Sequence, residues 1–164
     1  MYQLRIFGTV EKALELTAAD LAALPASALV PDVSQLDPKR AGRAVRLAAL
    51  LDQSQPSTDA RYLTLHSGRD DFHASIPLAA VRDQAVIIFE RDGQPLPESA
   101  GGPFRFLIPD LHVCHTLQAD GNPSEIDECA NVKYLASLEL SAERGHDNRP
   151  VEERAHAELH RRQG

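Results

Sequence analysis

The chain of 164 residues carries 17 Lys and Arg against 24 Asp and Glu, a formal net charge of −7, with two Cys and no Trp. That length fits one domain able to bury roughly 70% of the surface its unfolded chain exposes, and so few cysteines exclude a disulfide scaffold. The acidic balance argues against broad nucleic-acid binding, which needs a basic face to displace phosphate counterions, and no apolar run reaches the roughly 20 residues of a membrane span.

The N-terminus enters alternating structure directly, with no charged segment followed by an apolar one, so the expected location is the cytoplasm with both Cys reduced. Tyr2, Leu4 and Ile6 alternate with Gln3, Arg5 and Phe7 and predict a strand ended by Gly8. Val10 to Leu16 reads as a second extended piece. Thr17-Ala18-Ala19-Asp20 resembles a capping box opening a short helix over Leu21 and Leu24, which Pro25 stops. Residues 26–42, with Pro31, Pro38 and Gly42, read as loop, and Val45 to Leu51 has apolar positions at helical spacing. Gln53 to Asp59 is a polar linker.

The middle predicts strands. Arg61 to His66 alternates, with Tyr62, Thr64 and His66 on one face and Leu63 and Leu65 on the other. Ser67 to Asp71 is a turn, Phe72 to Ile76 returns, and Pro77 opens a helical turn over Leu78 to Asp83. Ala85 to Phe89 is continuously apolar, the pattern of a strand buried on both faces. Asp92-Gly93 signals a type I′ hairpin, while Pro95 and Pro97 restrict the return strand to an edge. Phe104 to Ile108 is a strand closed by Pro109, residues 110–130 form a long irregular stretch, and Val132 to Leu140 is the last core strand. The expected organisation is a domain over 1–140 and a charged, partly helical tail over 141–164, where Pro150 begins a polar helix.

Several segments have a recognisable order. Gly42 to Leu51 looks like W-x-G-V-x-L-x-D-L-L, and Ser75-Ile76-Pro77 like an S-I-P segment. Asp92 to Pro97 followed by Gly101 to Pro109 looks like N-G-x-P-L-P…H-G-x-P-x-R-x-x-x-P, and Asn131 to Leu135 like N-V-K-W-L. Together these motifs resemble the molybdopterin-binding domain of the sulfite oxidase family. The resemblance implies an α+β fold: a single domain of mixed β-sheet with short helices. It also implies a pterin cofactor whose phosphate is met by Arg105 and Lys133, beside Gly101 and Gly102, which lack a Cβ and permit close approach. Adjacent glycine amides offer an anion nest. Without the resemblance, Gly101-Gly102-Pro103 is a plain turn, Arg105 a solvated side chain and Lys133 a sheet-edge charge.

This sequence departs from the family pattern where the metal is bound. The family's molybdenum-ligand Cys lies between the first helix and the W-x-G-V-x-L element, but residues 26–42 contain no Cys. The family His before Gly-x-Pro is Ala100 here, and the family Trp is Gly42. The expectation is therefore a degenerate or repurposed non-redox module that binds a pterin or another small anion, with no molybdenum held in the usual way. The alternatives are a molybdenum-dependent oxidoreductase using a displaced thiolate and a structural metal site in 110–130. For that third option, Cys114, His115 and Cys129 are the candidate ligands; as ordinary thiols they need no metal, and as a disulfide they would add about 3 kcal/mol. His66 and His73 flank the turn at Gly68 and fit either a pocket or a polar sheet face. His156 and His160 fit a solvated helix, and Asp70 and Asp71 fit a turn.

Overall fold

Leu4 and Ile6 are fully buried while Arg5 is exposed, so strand β1 (Leu4–Gly8) directs one face into the core. This computed structural model describes residues 2–110 and 130–149. After β1 come strand β2 (Leu14–Leu16) and helix α1 (Ala18–Ala22). The capping box forms: the Thr17 hydroxyl accepts from the Asp20 amide at 3.1 Å, and the Asp20 carboxylate accepts from the Thr17 amide at 2.9 Å.

The stretch read as loop contains two 3-10 turns, Ala26–Ala28 and Val33–Gln35, around a two-residue strand β3 (Leu29–Val30). Strand β4 (Arg43–Arg46) then runs into helix α2 (Leu47–Ser54). The expected helix over Val45–Leu51 thus gains a strand at its start. Val45 and Leu47 are both buried, and helical spacing alone does not distinguish a strand leading into a helix. Strands β5 (Tyr62–Ser67) and β6 (His73–Pro77) form the expected hairpin, followed by helix α3 (Leu78–Val81). Strand β7 (Val86–Arg91), the edge strand β8 (Gln94–Pro95), a 3-10 turn (Glu98–Ala100), strand β9 (Arg105–Leu107) and strand β10 (Leu135–Ser141) complete the described elements.

One sheet has the order β2-β1-β10-β5-β6, with β1 and β10 parallel and the other pairs antiparallel. The second has the order β3-β4-β7-β8, and β9 also pairs with β7. Both sheets feed one core, in which Leu63, Leu65, Leu138 and Leu140 from the first meet Ile87, Phe89 and Phe106 from the second, with Leu47, Leu50 and Leu51 of α2. The opposite face of the second sheet is buried too, where Val86, Ile88 and Leu107 pack on Val30, Val33 and Leu96. The continuous apolar run at 85–89 is explained by these two covered faces. Thr64 departs from the polar face read for it: it is fully buried, and its hydroxyl donates to the Ser75 hydroxyl across the hairpin at 3.0 Å.

This mixed-sheet, short-helix architecture is the expected α+β single domain. Residues 145–149, on the tail side of the expected boundary at 140, lie along β6, where the Asn148 amide donates to the His73 carbonyl at 3.0 Å.

Candidate anion-binding site

The turn between β8 and β9 is built by its own backbone. The Ala100 and Gly102 amides both donate to the Pro97 carbonyl at 2.9 Å, and the Gly101 amide donates to the Glu98 carbonyl at 2.9 Å. Gly101 adopts φ +91°, a left-handed conformation that favours glycine, and the Gly102–Pro103 bond is cis. A Cβ on Gly102 would overlap the Leu96 carbonyl oxygen. The Gly101 and Gly102 amides are therefore engaged inside the turn, and recognition of an anion here falls to side chains.

Those side chains are brought in by the segment that enters β10. The Phe106 amide donates to the Val132 carbonyl at 3.0 Å, the Tyr134 amide to the Gly101 carbonyl at 2.7 Å and the Leu135 amide to the Phe104 carbonyl at 2.8 Å. These bonds set Lys133 beside the turn. A Cβ on Gly101 would lie 3.1 Å from both Arg105 Cδ and Lys133 Cγ. Gly101 thus makes room for the two cationic stems to pass side by side.

Arg105 is 7% exposed. Its Nη1 donates to the Ala100 carbonyl at 3.1 Å, but its buried Nε has no hydrogen-bond partner among the described residues. Such a group inside a protein is costly and is the natural place for a ligand acceptor. Burial lowers the Arg105 guanidinium from its ordinary value to about 10, and the charge of Arg40 pushes the same way, against Tyr134 and Asp37. Lys133 is also lowered, by burial first and then by Arg105 and Arg40, with Asp70 opposing. Arg40 therefore adds to the cost of both Arg105 and Lys133, and Arg105 to that of Lys133, a field that an incoming anion relieves.

Arg40 is the residue that sequence reasoning missed. It lies in the 26–42 stretch, 4.0 Å from the Asp37 carboxylate through Nε, an atom that is buried and makes no hydrogen bond among the described residues. The basic pair Lys39-Arg40 just before Gly42 is the only local signal. Beside the turn opens a cavity of about 430 Å³ lined by Arg69, Glu98, Gly102, Pro103, Phe104 and Tyr134 among others. Arg69 pairs there with Glu98 at 3.1 Å and lies 5.1 Å above the Tyr134 ring. The cluster of Arg40, Arg105 and Lys133 does not line that cavity.

The structure brings Gly101, Gly102, Arg105 and Lys133 together. Cys114, His115 and Cys129, and the helix expected from Pro150, lie outside the described residues. Among the described residues, no group of three or more His, Cys, Asp and Glu is arranged to hold a metal ion, and no helix is long and apolar enough to cross a membrane.

A search of curated protein sequences returns no match. Among solved structures, the chain is similar to the sulfane dehydrogenase SoxCD from Paracoccus pantotrophus, with a TM-score of 0.60 and 18% identity. The alignment covers 87% of this chain and 39% of that one, so this chain spans well under half of that protein's length. The likeness is one of fold. Residues 43–117, which include β4, the β5–β6 hairpin and the Gly101-Gly102 turn, match the sequence model of the family described as Oxidoreductase molybdopterin binding domain. That match, on a chain folded this way, makes this chain similar to the sulfite-oxidase-type molybdopterin-binding domains over somewhat less than half of its length.

Proposed function

We propose that this domain is a non-redox binding module for a small anionic ligand, with the phosphate of a molybdopterin-type pterin as the ligand class its family implies. The observation that carries this reading is the buried Arg105 guanidinium, whose Nε is unbonded among the described residues, in the field of Arg40 and Lys133. A phosphate oxygen suits such donors, since charge-assisted bonds to guanidinium are short and strong. Arg105 would hold the anion by its fork, Lys133 and Arg40 would add charge, and Gly101 would keep both stems in place.

When bound in an enzyme of this family, molybdenum supplies two-electron redox chemistry. Residues 26–42 offer no thiolate for it. The carboxylates there are engaged locally: Asp32 accepts from the Ser34 amide and hydroxyl, and Asp37 accepts from the Lys39 amide. The donor set fits the anionic end of the cofactor and not its metal. The same reading makes the protein a cytoplasmic binder of small ligands without a nucleic-acid partner, consistent with its net charge of −7.

The test is elemental analysis of protein purified from a molybdenum-replete, cofactor-making host, together with calorimetric titration of inorganic phosphate and pyrophosphate. Expected are no stoichiometric molybdenum and anion binding that weakens at least about tenfold in Arg105→Ala and in Lys133→Ala. Stoichiometric molybdenum with a pterin absorbance overturns the non-redox reading. Anion affinity unchanged in both variants removes the site.

A further inference from the structure

The outer hairpin of the first sheet carries a second polar cluster. His66 and His73 are direct register partners across β5 and β6. Their Nδ1 atoms lie 2.7 Å apart, a hydrogen bond between two ring nitrogens. Each ring also bonds a carboxylate through its other nitrogen: His66 Nε2 to Glu139 at 2.9 Å and His73 Nε2 to Asp71 at 2.8 Å. Both histidines are largely buried, with side chains 18% and 17% exposed.

Proton counting constrains the charge of this arrangement. Ionised carboxylates only accept, so both Nε2 atoms carry hydrogen. The Nδ1–Nδ1 bond needs one donor and one acceptor, so one Nδ1 carries hydrogen and the other does not. The pair thus holds three protons on four nitrogens, one net positive charge between two carboxylates. A fourth proton sets N–H against N–H, and loss of the third sets lone pair against lone pair; either breaks the bond.

The strap over residues 145–149 is docked on this pair. The His146 ring stacks on His73 with centroids 4.1 Å apart and planes 22° apart. The His73 amide donates to Asn148 Oδ1 at 2.8 Å, and Asn148 Nδ2 donates to the Asp71 carbonyl at 2.6 Å. Further along, the Ser75 amide donates to the Asp147 carboxylate at 3.0 Å, the Gly145 amide donates to the Ser75 hydroxyl at 2.9 Å, and Arg149 Nη2 donates to the Ser75 carbonyl at 3.2 Å. These contacts cover the free edge of β6, which an exposed sheet would otherwise offer to other strands.

We propose that His66 and His73 hold one shared proton and that this proton latches the strap to β6 by fixing the ring on which His146 stacks. The charges facing the pair come from Glu139 on β10, Asp71 in the hairpin turn and His146 on the strap. From β1 comes Phe7, stacked 6.2 Å from His66, with Arg5 5.4 Å above its ring. Asp147, Arg144 and Arg149 form a separate ion cluster beyond His146, with Asp147 Oδ2 2.6 Å from Arg149 Nη2 and 3.1 Å from Arg144 Nη2. That cluster does not depend on the shared proton, so it anchors the far end of the strap while the His146–Asn148 end opens.

Two measurements on the full chain test this. Long-range ¹⁵N–¹H correlation of the imidazoles should show both Nε2 atoms protonated and a single hydrogen shared between the Nδ1 atoms; two neutral rings with one N–H each overturn the proposal. Hydrogen-exchange protection factors should be followed from about pH 5 to about pH 9. Protection of the His73 amide should pass through a maximum and fall at least about tenfold on either side, while that of the Ser75 amide stays level. In His66→Gln, which can still donate to Glu139 but cannot share the proton, the His73 amide should lose this maximum. Amides of His73 and Ser75 that change together, or a maximum retained in His66→Gln, overturn the latch.

Discussion

Asp147 gives the sharpest test of how the strap is anchored. Its side chain is 7% exposed, and its carboxylate accepts from Arg149 Nε at 3.0 and 3.1 Å, Arg149 Nη2 at 2.6 Å, and the Arg149 and Ser75 amides at 3.1 and 3.0 Å. Burial works against ionisation, but the hydrogen bonds and charge of Arg149, with the two amides, outweigh it and hold the group down from 3.8 to about 2. A drop of that size is worth about 2 kcal/mol. Because the folded value is the lower one, this stability is fully present above about pH 4 and disappears as pH falls through about 2. Asp147→Asn removes the ion pair and takes the Asp147 charge away from the Arg149 guanidinium, whose side chain is 4% exposed. The variant should therefore lose about 2–4 kcal/mol at about pH 7. Urea unfolding at a series of pH values is the assay, and the difference between native protein and variant should shrink as pH approaches about 2. A difference that stays constant over that range would refute the assignment of Arg149 as the partner that holds Asp147 ionised.

Other expectations follow from the site and the core. Arg105→Met removes a buried guanidinium whose Nε is unbonded among the described residues, so unfolding in phosphate-free buffer should show unchanged or slightly raised stability, and the rise in Tm expected from phosphate on the native protein should vanish. Arg40→Ala should weaken phosphate binding several-fold and flatten its dependence on ionic strength, as read by calorimetry at low and high salt. Gly101→Ala should cost about 1–2 kcal/mol of backbone strain by denaturant unfolding and reduce anion affinity, since its Cβ would press on both cationic stems. Phe106→Ala, at a fully buried position between the sheets, should cost about 3–5 kcal/mol by the same unfolding assay.

The strands most legible in the sequence are those with one buried face and one wet face, such as β1, where Leu4 and Ile6 alternate with Arg5. The doubly buried β7 was legible for the complementary reason, as an unbroken apolar run. Thr64 was misread because its hydroxyl is satisfied by Ser75, a partner that only the β5–β6 register supplies. The parallel pairing of β1 with β10 joins residues more than 130 positions apart, from Arg5↔Ser137 to Gly8↔Leu140, and no local pattern encodes it. Arg105 and Lys133 stood out only through family resemblance, because nothing in their neighbouring residues distinguishes a buried cation from a solvated one. Arg40 escaped both routes. Its role arises from where the chain returns in space, and it matches no quoted motif.

That return is set by the segment where the family this chain resembles carries its metal ligand. In this chain Val33 is fully buried, and its amide donates to the Gly42 carbonyl at 2.8 Å, closing residues 33–42 into a compact loop. The Asp37 amide donates back to Val33, and the Arg40 amide donates to the Asp37 carbonyl, so Arg40 rides on a hydrogen-bonded turn. A thiolate in this segment would bring negative charge suited to a metal cation. Arg40 brings positive charge instead, which adds to burial in lowering both Arg105 and Lys133. The sign of the field in this part of the scaffold thus favours an anion. A metal cation placed against the same side chains would meet repulsion in a partly buried setting where screening is weak, whereas a phosphate there lowers the cost of both Arg105 and Lys133.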